Sequence, residues 1–402
     1  MSGRISHREL LLMLSAIMAL MAMGIDLLLP AFDDIRDAFG LDPNSTRVSL
    51  LITTFFLGLA VAQLFWGPLA DRFGRKPVLY AGIGLYIVSA IGCAVAPSFG
   101  WLLFGRFMWG AGAAGARVVA TAIIRDTFSG NRMAQAMSHI MAVFVMAPIF
   151  APALGAGLIA VFPWQSVFWF CAIWSAAIAI WTFRLPETLD PVNRRPLEFG
   201  SVAGGFRTVA STRITAGYTL ATLFIQGVFT AYVGSSERII SEIFGRQGQF
   251  PFIFGAIGVL FGLAAIANGQ LVGRFGMVRL TRIALAVAAA LGTTLVLVSF
   301  AADGSPSFWL FMPLLGLLLA TFMFLMPNLN TGALAPMGAL AGTASSLTGA
   351  ARIAGGAVLG AIVDSQVGDT TTTFSIAAIT FILLAIGSVV WAERDGVATE
   401  VD

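Results

Sequence analysis

Gly67-Pro68-Leu69-Ala70-Asp71-Arg72-Phe73-Gly74-Arg75-Lys76 is a charged turn set between two long apolar stretches. A weaker copy, Gly269-Gln270-Leu271-Val272-Gly273-Arg274-Phe275-Gly276, follows half a chain length later. Glycine, leucine, arginine, phenylalanine and glycine recur at matching places, while Gly273 stands where Asp71 stood. The chain of 402 residues therefore restarts its own plan near its midpoint.

Around these turns the composition is 58% apolar and 11% charged, which leaves too few polar groups to cover a water-soluble surface. Many apolar runs reach about 18 residues, the length that crosses a bilayer core. Twelve such spans begin near Glu9, Arg47, Pro77, Gly100, Ala134, Trp164, Arg213, Phe250, Leu280, Ser307, Ala341 and Thr372. Lipid cannot satisfy an open sheet edge, so an all-α membrane protein is expected, with twelve transmembrane helices in two pseudo-symmetric six-helix bundles. The expected organisation is a first bundle over 1–184, a linker over 185–212 and a second bundle over 213–402. Two parallel halves, each with a basic turn after its second span, are the plan of a transporter.

Arginine placement orients the spans. If spans alternate, Arg72, Arg75, Lys76, Arg125, Arg184 and Arg274 fall on one side, with both termini, and that side is expected to be cytoplasmic. The run after Arg4 and Arg8 resembles a signal peptide, but it is too long and has no clear cleavage site. It is expected to be kept as the first span of a multi-pass protein of the cell (inner or plasma) membrane. Cys93 and Cys171 lie inside apolar runs and read as buried packing. No paired ligands suggest a metal, so no metal site is expected. There is no P-loop and no catalytic motif, so the chain reads as a non-enzyme without cofactor. The linker arginines suit anionic lipid headgroups rather than nucleic acid.

On these residues the chain resembles the major facilitator superfamily, and within it the twelve-span drug:proton antiporters of the bicyclomycin and chloramphenicol resistance branch. The Gly67-to-Lys76 run matches the superfamily's loop motif. Arg106-Phe107-Met108-Trp109-Gly110-Ala111-Gly112 matches a span-four motif, with Trp109 where the family usually has Gln. Ala151-Pro152-Ala153-Leu154-Gly155-Ala156-Gly157 resembles the antiporter motif, with alanine in place of two glycines. Asp26 to Pro30, Arg125-Asp126, Leu185-Pro186-Glu187-Thr188, Met326-Pro327-Asn328 and Gly342-Thr343-Ala344-Ser345-Ser346 are further local matches. The resemblance implies proton-coupled drug efflux by alternating access, powered by the proton gradient. It also implies a degraded antiporter motif, whose residues here are Pro148, Pro152, Gly155 and Gly157, and which leaves the direction of transport open.

The loop motif makes sense as a latch. Gly67 and Gly74 allow close approach and a tight turn. Asp71 can meet the positive end of a helix, and Arg75 is expected to reach Asp126. Arg72 and Lys76 complete the gating motif, or merely fix topology. Asp26 is an ionisable group inside a span, costly enough to be functional by default. The resembling antiporters use an acid at this place for coupling; a static, arginine-paired carboxylate is the alternative. Arg106 and Arg117 share one face of span four, about 20° and roughly 16 Å apart. An Asp26–Arg106 pair is expected, and Arg117 is either functional or a snorkelling side chain. Glu237 and Arg238 read as a gate pair or as an exposed interfacial pair, and His139 as a proton relay or as packing.

Met23, Phe55, Trp109, Phe144, Phe224, Tyr232, Asn328 and Arg352 are the candidate substrate-binding residues. Aromatic and methionine side chains repack around varied lipophilic molecules. Gln63, Gln226, Asn268 and Asn328 either bind substrate or bridge helices. The expected partners are a small lipophilic drug or a metabolite, protons and the bilayer. A monomer is expected, because the two halves already assemble a full pathway. A transporter for a specific metabolite and a non-transporting membrane sensor remain open as alternatives.

Overall fold

The computed structural model describes residues 5–42, 45–128, 130–190, 192, 194 and 207–394; the side chains of 130–132, 134, 135, 137–139, 141–145, 338–341 and 343 lie outside that description. Among the described residues the chain is helical, without strands. Twelve long helices are α1 (His7–Asp26), α2 (Leu50–Phe73), α3 (Arg75–Ala94), α4 (Phe99–Thr127), α5 (Gly130–Ile159), α6 (Ser166–Trp181), α7 (Arg213–Glu237), α8 (Phe250–Phe275), α9 (Met277–Ala301), α10 (Phe308–Leu334), α11 (Ala341–Asp364) and α12 (Thr372–Glu393). Eleven helical segments are long and apolar enough to cross a membrane, and the apolar part described in α5 is Met146–Ile159. The starts agree with the sequence reading within a turn. That reading rests on run length, and most of these helices are apolar all round, as buried or lipid-facing helices must be.

Local signals set the ends. Ser6 and Ser98 cap α1 and α4, each accepting the backbone N–H three residues on. Past Asp26 the chain tightens into a 3-10 turn at Leu29–Ala31 and a short helix at Phe32–Ala38. The two repeated turns have one solution. Gly74 joins α2 to α3 at φ +103°, and Gly276 joins α8 to α9 at φ +73°. A single residue in this positive-φ conformation reverses the chain between two helices, which favours glycine at that place in both copies.

The chain forms two compact units, 1–198 and 199–402. In the first, α4 packs on α2, α3 and α1, α1 on α5 and α6, and α3 on α6. In the second, α10 packs on α8, α9 and α7, α7 on α11 and α12, and α9 on α12. Each pairing in the first unit thus recurs six helices later, so the sequence repeat is also a packing repeat. The tightest crossing is α2 with α4. A Cβ on Gly58 would land on the Phe107 carbonyl oxygen, and one on Gly110 would land on the Phe55 carbonyl oxygen. Lipid gives apolar helices no hydrophobic reason to associate, so backbone contact through small residues supplies the attraction.

The stretch after α6 is not a bare connector. Leu185 and Leu189 are buried, and residues 185–190 belong to the first unit.

Gly110→Ala is expected to lower the stability of the detergent-solubilised protein by about 1–3 kcal/mol, because the added methyl meets backbone that cannot rotate away. Gly84→Ala, with nothing within 4 Å of the new atom, should leave thermal unfolding unchanged or raise its midpoint.

Candidate functional site

At the loop-motif end of the first unit, Arg75 begins α3 and is buried. Its Nη1 donates to Asp71 Oδ1 at 2.5 Å and its Nε to Asp126 Oδ2 at 2.8 Å. Thr188 Oγ1 donates to the same Asp126 oxygen at 3.3 Å. The planar guanidinium thus ties the ends of α2 and α4 to the start of α3, a geometry that a lysine's single ammonium cannot reproduce.

Glu187 completes this cluster. Its Oε1 accepts the backbone N–H of Arg75 at 2.8 Å, and those of Thr188 and Leu189 at 3.0 Å each. Its Oε2 accepts the N–H of Lys76 at 3.0 Å. The first N–H groups of α3 would otherwise lack partners, and a carboxylate suits the positive end of the helix. A Cβ at Gly74 would come within 2.6 Å of Glu187 Oε2, a second reason for glycine there. Lys76 Nζ donates to the Phe183 carbonyl at 2.9 Å. Nothing in the sequence gives Glu187 a role beyond its place in a local match, although an acid just after α6 among arginines is the one signal it carries.

The second unit has a different tie at the matching end. Glu393 of α12 accepts from Arg282 Nη2 of α9 at 2.6 Å and from Tyr218 OH of α7 at 2.8 Å. The first unit joins its own first and last helices similarly, with Trp181 Nε1 donating to Glu9 Oε1 at 3.2 Å.

Asp26 is the last residue of α1 and is only 6% exposed. The expected Asp26–Arg106 pair does not form. Arg106, with no exposed surface, donates from Nη1 to the Gly24 carbonyl at 2.7 Å and from Nε to the Leu51 carbonyl at 3.1 Å. Its guanidinium carbon lies 4.6 Å from the Phe55 ring centroid and 4.8 Å from that of Trp109. Arg106 reaches α1 two residues before Asp26, but on a different face. Gly24 turns toward Phe55 and Tyr86, and Asp26 comes about 200° further round α1. Arg106 is thus a bridge between α1, α2 and α4, strengthened by two ring faces. Among the described residues Asp26 makes no ion pair or hydrogen bond.

The Pro148-to-Gly157 stretch of α5 lies beside it. A Cβ on Gly155 would land on the carbonyl oxygen of Leu27, the residue after Asp26, so α5 closes directly on the end of α1. Pro148 and Pro152 sit inside α5, each removing one N–H from the helical ladder. Gly157 is exposed with open space around it.

Several candidate substrate residues have structural partners. Phe55 and Trp109 are fully buried around Arg106, with Tyr86 and Phe168 against the indole, and do not line an open surface. Tyr232 stacks on Phe254 at 5.7 Å, and Phe224 meets Phe381 of α12 at 6.3 Å. Asn328 Nδ2 donates to Asn268 Oδ1 at 3.0 Å, joining α10 to α8. Arg352 Nη1 donates to Gln226 Oε1 at 2.5 Å, joining α11 to α7. Arg117 Nη2 donates to Gln63 Oε1 at 2.8 Å, joining α4 to α2. All four amides left open by sequence therefore bridge helices. Met23 is half-buried. The side chains of Phe144 and His139 lie outside the described residues.

Glu237 and Arg238 are not an exposed pair. They are 4% and 8% exposed, and Arg238 pairs with Glu242 at 3.3 Å and Asp369 at 3.4 Å. A π-helical stretch, Arg238–Ile243, ends α7 here and turns these side chains inward. Cys93 and Cys171 are buried and free, as expected from sequence.

Comparison with known proteins follows the same lines. The model of the Major Facilitator Superfamily matches residues 13–361. The chain is 32% identical over 362 residues to a bicyclomycin resistance protein homolog of Haemophilus influenzae, covering 90% of each chain. It is 29% identical over 342 residues to the multidrug resistance protein MdtL of Escherichia coli O81, covering 85% of this chain and 84% of that one. Among solved structures, a D-xylose-proton symporter superposes with TM-score 0.75 at 13% identity, covering 94% of this chain and 97% of the other.

Two measurements test these assignments. Glu187→Ala is expected to cost about 1 kcal/mol and to speed hydrogen exchange at the Arg75 and Lys76 amides; unchanged exchange there would remove the capping role. Arg106→Lys is expected to lower stability by about 2 kcal/mol in denaturant unfolding, since one ammonium cannot span two carbonyls and two rings.

Proposed function

Because the chain belongs to the Major Facilitator Superfamily, we propose that it exports small lipophilic drugs in exchange for protons by alternating access. Support for drugs as substrates comes from the relatives named for bicyclomycin and multidrug resistance. The observation that carries proton coupling is Asp26, a carboxylate buried at the end of a membrane helix without a cation partner among the described residues. Such a group must acquire a counter-ion, a ligand or a proton, and its choice changes when its surroundings open to water.

In this reading Asp26 carries the proton, and Gly155 presses α5 against the same end of α1, so loading Asp26 and moving α5 are linked. Arg106 holds α1 onto α2 and α4 and positions Asp26 rather than neutralising it. Asp71, Arg75 and Asp126 form the gate cluster, and Glu187 sets the start of α3 within it. The proton gradient supplies the energy and no cofactor takes part. The chain works as a monomer in the cell membrane with both termini in the cytoplasm.

The test is flux of amphenicols and lipophilic cations in proteoliposomes under an imposed pH gradient. The parent is expected to transport at least one class, and Asp26→Asn to fall to the level of protein-free liposomes. Full gradient-driven flux in Asp26→Asn would place the proton site elsewhere. Flux of no panel member by the parent would overturn the choice of drugs as substrates.

A further inference from the structure

Arg117 and Gln63 are not used by the coupling or gating clusters. Arg117 lies ten residues before the end of α4, and Gln63 ten residues before the end of α2. Each Cα is therefore about 15 Å in from the loop-motif end, well within the bundle. Their hydrogen bond, 2.8 Å from Arg117 Nη2 to Gln63 Oε1, runs sideways between the helices at that depth. The guanidinium bonds across to the neighbouring helix, which favours a role within the bundle over the snorkelling alternative for Arg117.

A cation at this depth without a counter-ion costs about 2.5–3.5 kcal/mol on insertion scales. Among the described residues no carboxylate pairs with Arg117. Two buried donors at the pair, Arg117 Nε and Gln63 Nε2, have no hydrogen-bond partner, and Gln63 is only 4% exposed. A merely structural bridge looks different in this same protein. In the second unit Arg352 meets Gln226 Oε1, and Gln226 Nε2 passes on to Thr230 Oγ1 at 3.3 Å, so that amide is complete. Arg106 also leaves one nitrogen, Nη2, without an acceptor, but two carbonyls and two ring faces hold it and it is closed off entirely. Arg117 is half-buried as a residue and has one acceptor, while its Nε, like Gln63 Nε2, is enclosed.

We infer that Arg117 and Gln63 form a recognition site for an anionic oxygen group, a carboxylate, on an amphipathic molecule that the protein transports. The two hydrogen-bonded residues keep two unused donors between them, Arg117 Nε and Gln63 Nε2, and a carboxylate has two oxygens to accept them. The positive charge without its own acid supplies the attraction, and it is strong where water is excluded. The word "transported" rests on the function proposed above; the binding site itself does not.

The test is equilibrium binding by calorimetry to the full-length protein in detergent. The probes are benzoate, 2-naphthoate and biphenyl-4-carboxylate, each compared with its primary amide. The parent is expected to bind at least one carboxylate about tenfold tighter than its amide, the size of a hydrogen bond to a charged group. Arg117→Gln removes the cation, and Gln63→Glu supplies a built-in competing carboxylate. Both are expected to abolish the preference, and Gln63→Glu to melt no lower than the parent, which guards against loss through unfolding. Equal binding of acid and amide by the parent, or a preference that survives either substitution, overturns the site. A lower melting point in Arg117→Gln with an unchanged preference also overturns it, in favour of a structural bridge. A parent that prefers carboxylates yet carries no amphenicol or lipophilic cation in vesicles supports the site while overturning the drug assignment.

Discussion

The close crossing of α2 and α4 is the constraint on which the first unit depends. With hydrogen in place of a side chain at Gly58 and Gly110, the backbones meet. That approach brings the Leu51 carbonyl within reach of Arg106 and Gln63 within reach of Arg117. It also places the C-terminal ends of both helices so that Asp71 and Asp126 converge on one arginine. A methyl group at either glycine would separate the helices and loosen all three contacts together. In lipid, where burial of apolar surface gives little drive, van der Waals contact of this kind does much of the work that the hydrophobic effect does in water.

The polar side chains within the helices follow from the same solvent. An unsatisfied donor in hydrocarbon has no water to turn to, so amides and guanidinium groups find one another across helix pairs. Asn268 with Asn328, Gln226 with Arg352 and Gln63 with Arg117 are three cases. Arg106 meets most of this need with backbone carbonyls and aromatic faces and leaves Nη2 without an acceptor. Other groups stay incomplete among the described residues: Asp26 has no cation, and Arg117 Nε and Gln63 Nε2, among several buried polar atoms, have no partner. Asp26 ends α1, whereas the Gln63–Arg117 pair lies ten residues in from the ends of α2 and α4.

The loop motif shows how one turn serves both local geometry and assembly. Gly74 gives the reversal, Arg75 gathers two carboxylates, and Glu187 caps the helix that the reversal starts. The second unit keeps the reversal at Gly276 without the arginine, and puts its tie on Glu393 instead. The helix pairings are repeated while the charged fittings differ, so the two units share an architecture but not their ion pairs.

Span number, helix starts, the internal repeat and the Arg75–Asp126 contact were legible in the sequence. They depend on run length, on glycine punctuation and on residues near helix ends, all of which are local or nearly so. The pairing of Arg106 was not legible, because depth along a helix follows from counting but the face presented to a neighbour depends on how α1 is rotated against α2 and α4. The role of Glu187 required a contact across more than a hundred residues. Which helix each of Gln63, Gln226, Asn268 and Asn328 bonds to was likewise left to the tertiary structure. A polar side chain in an apolar span announces that it needs a partner, but packing alone decides which helix supplies one.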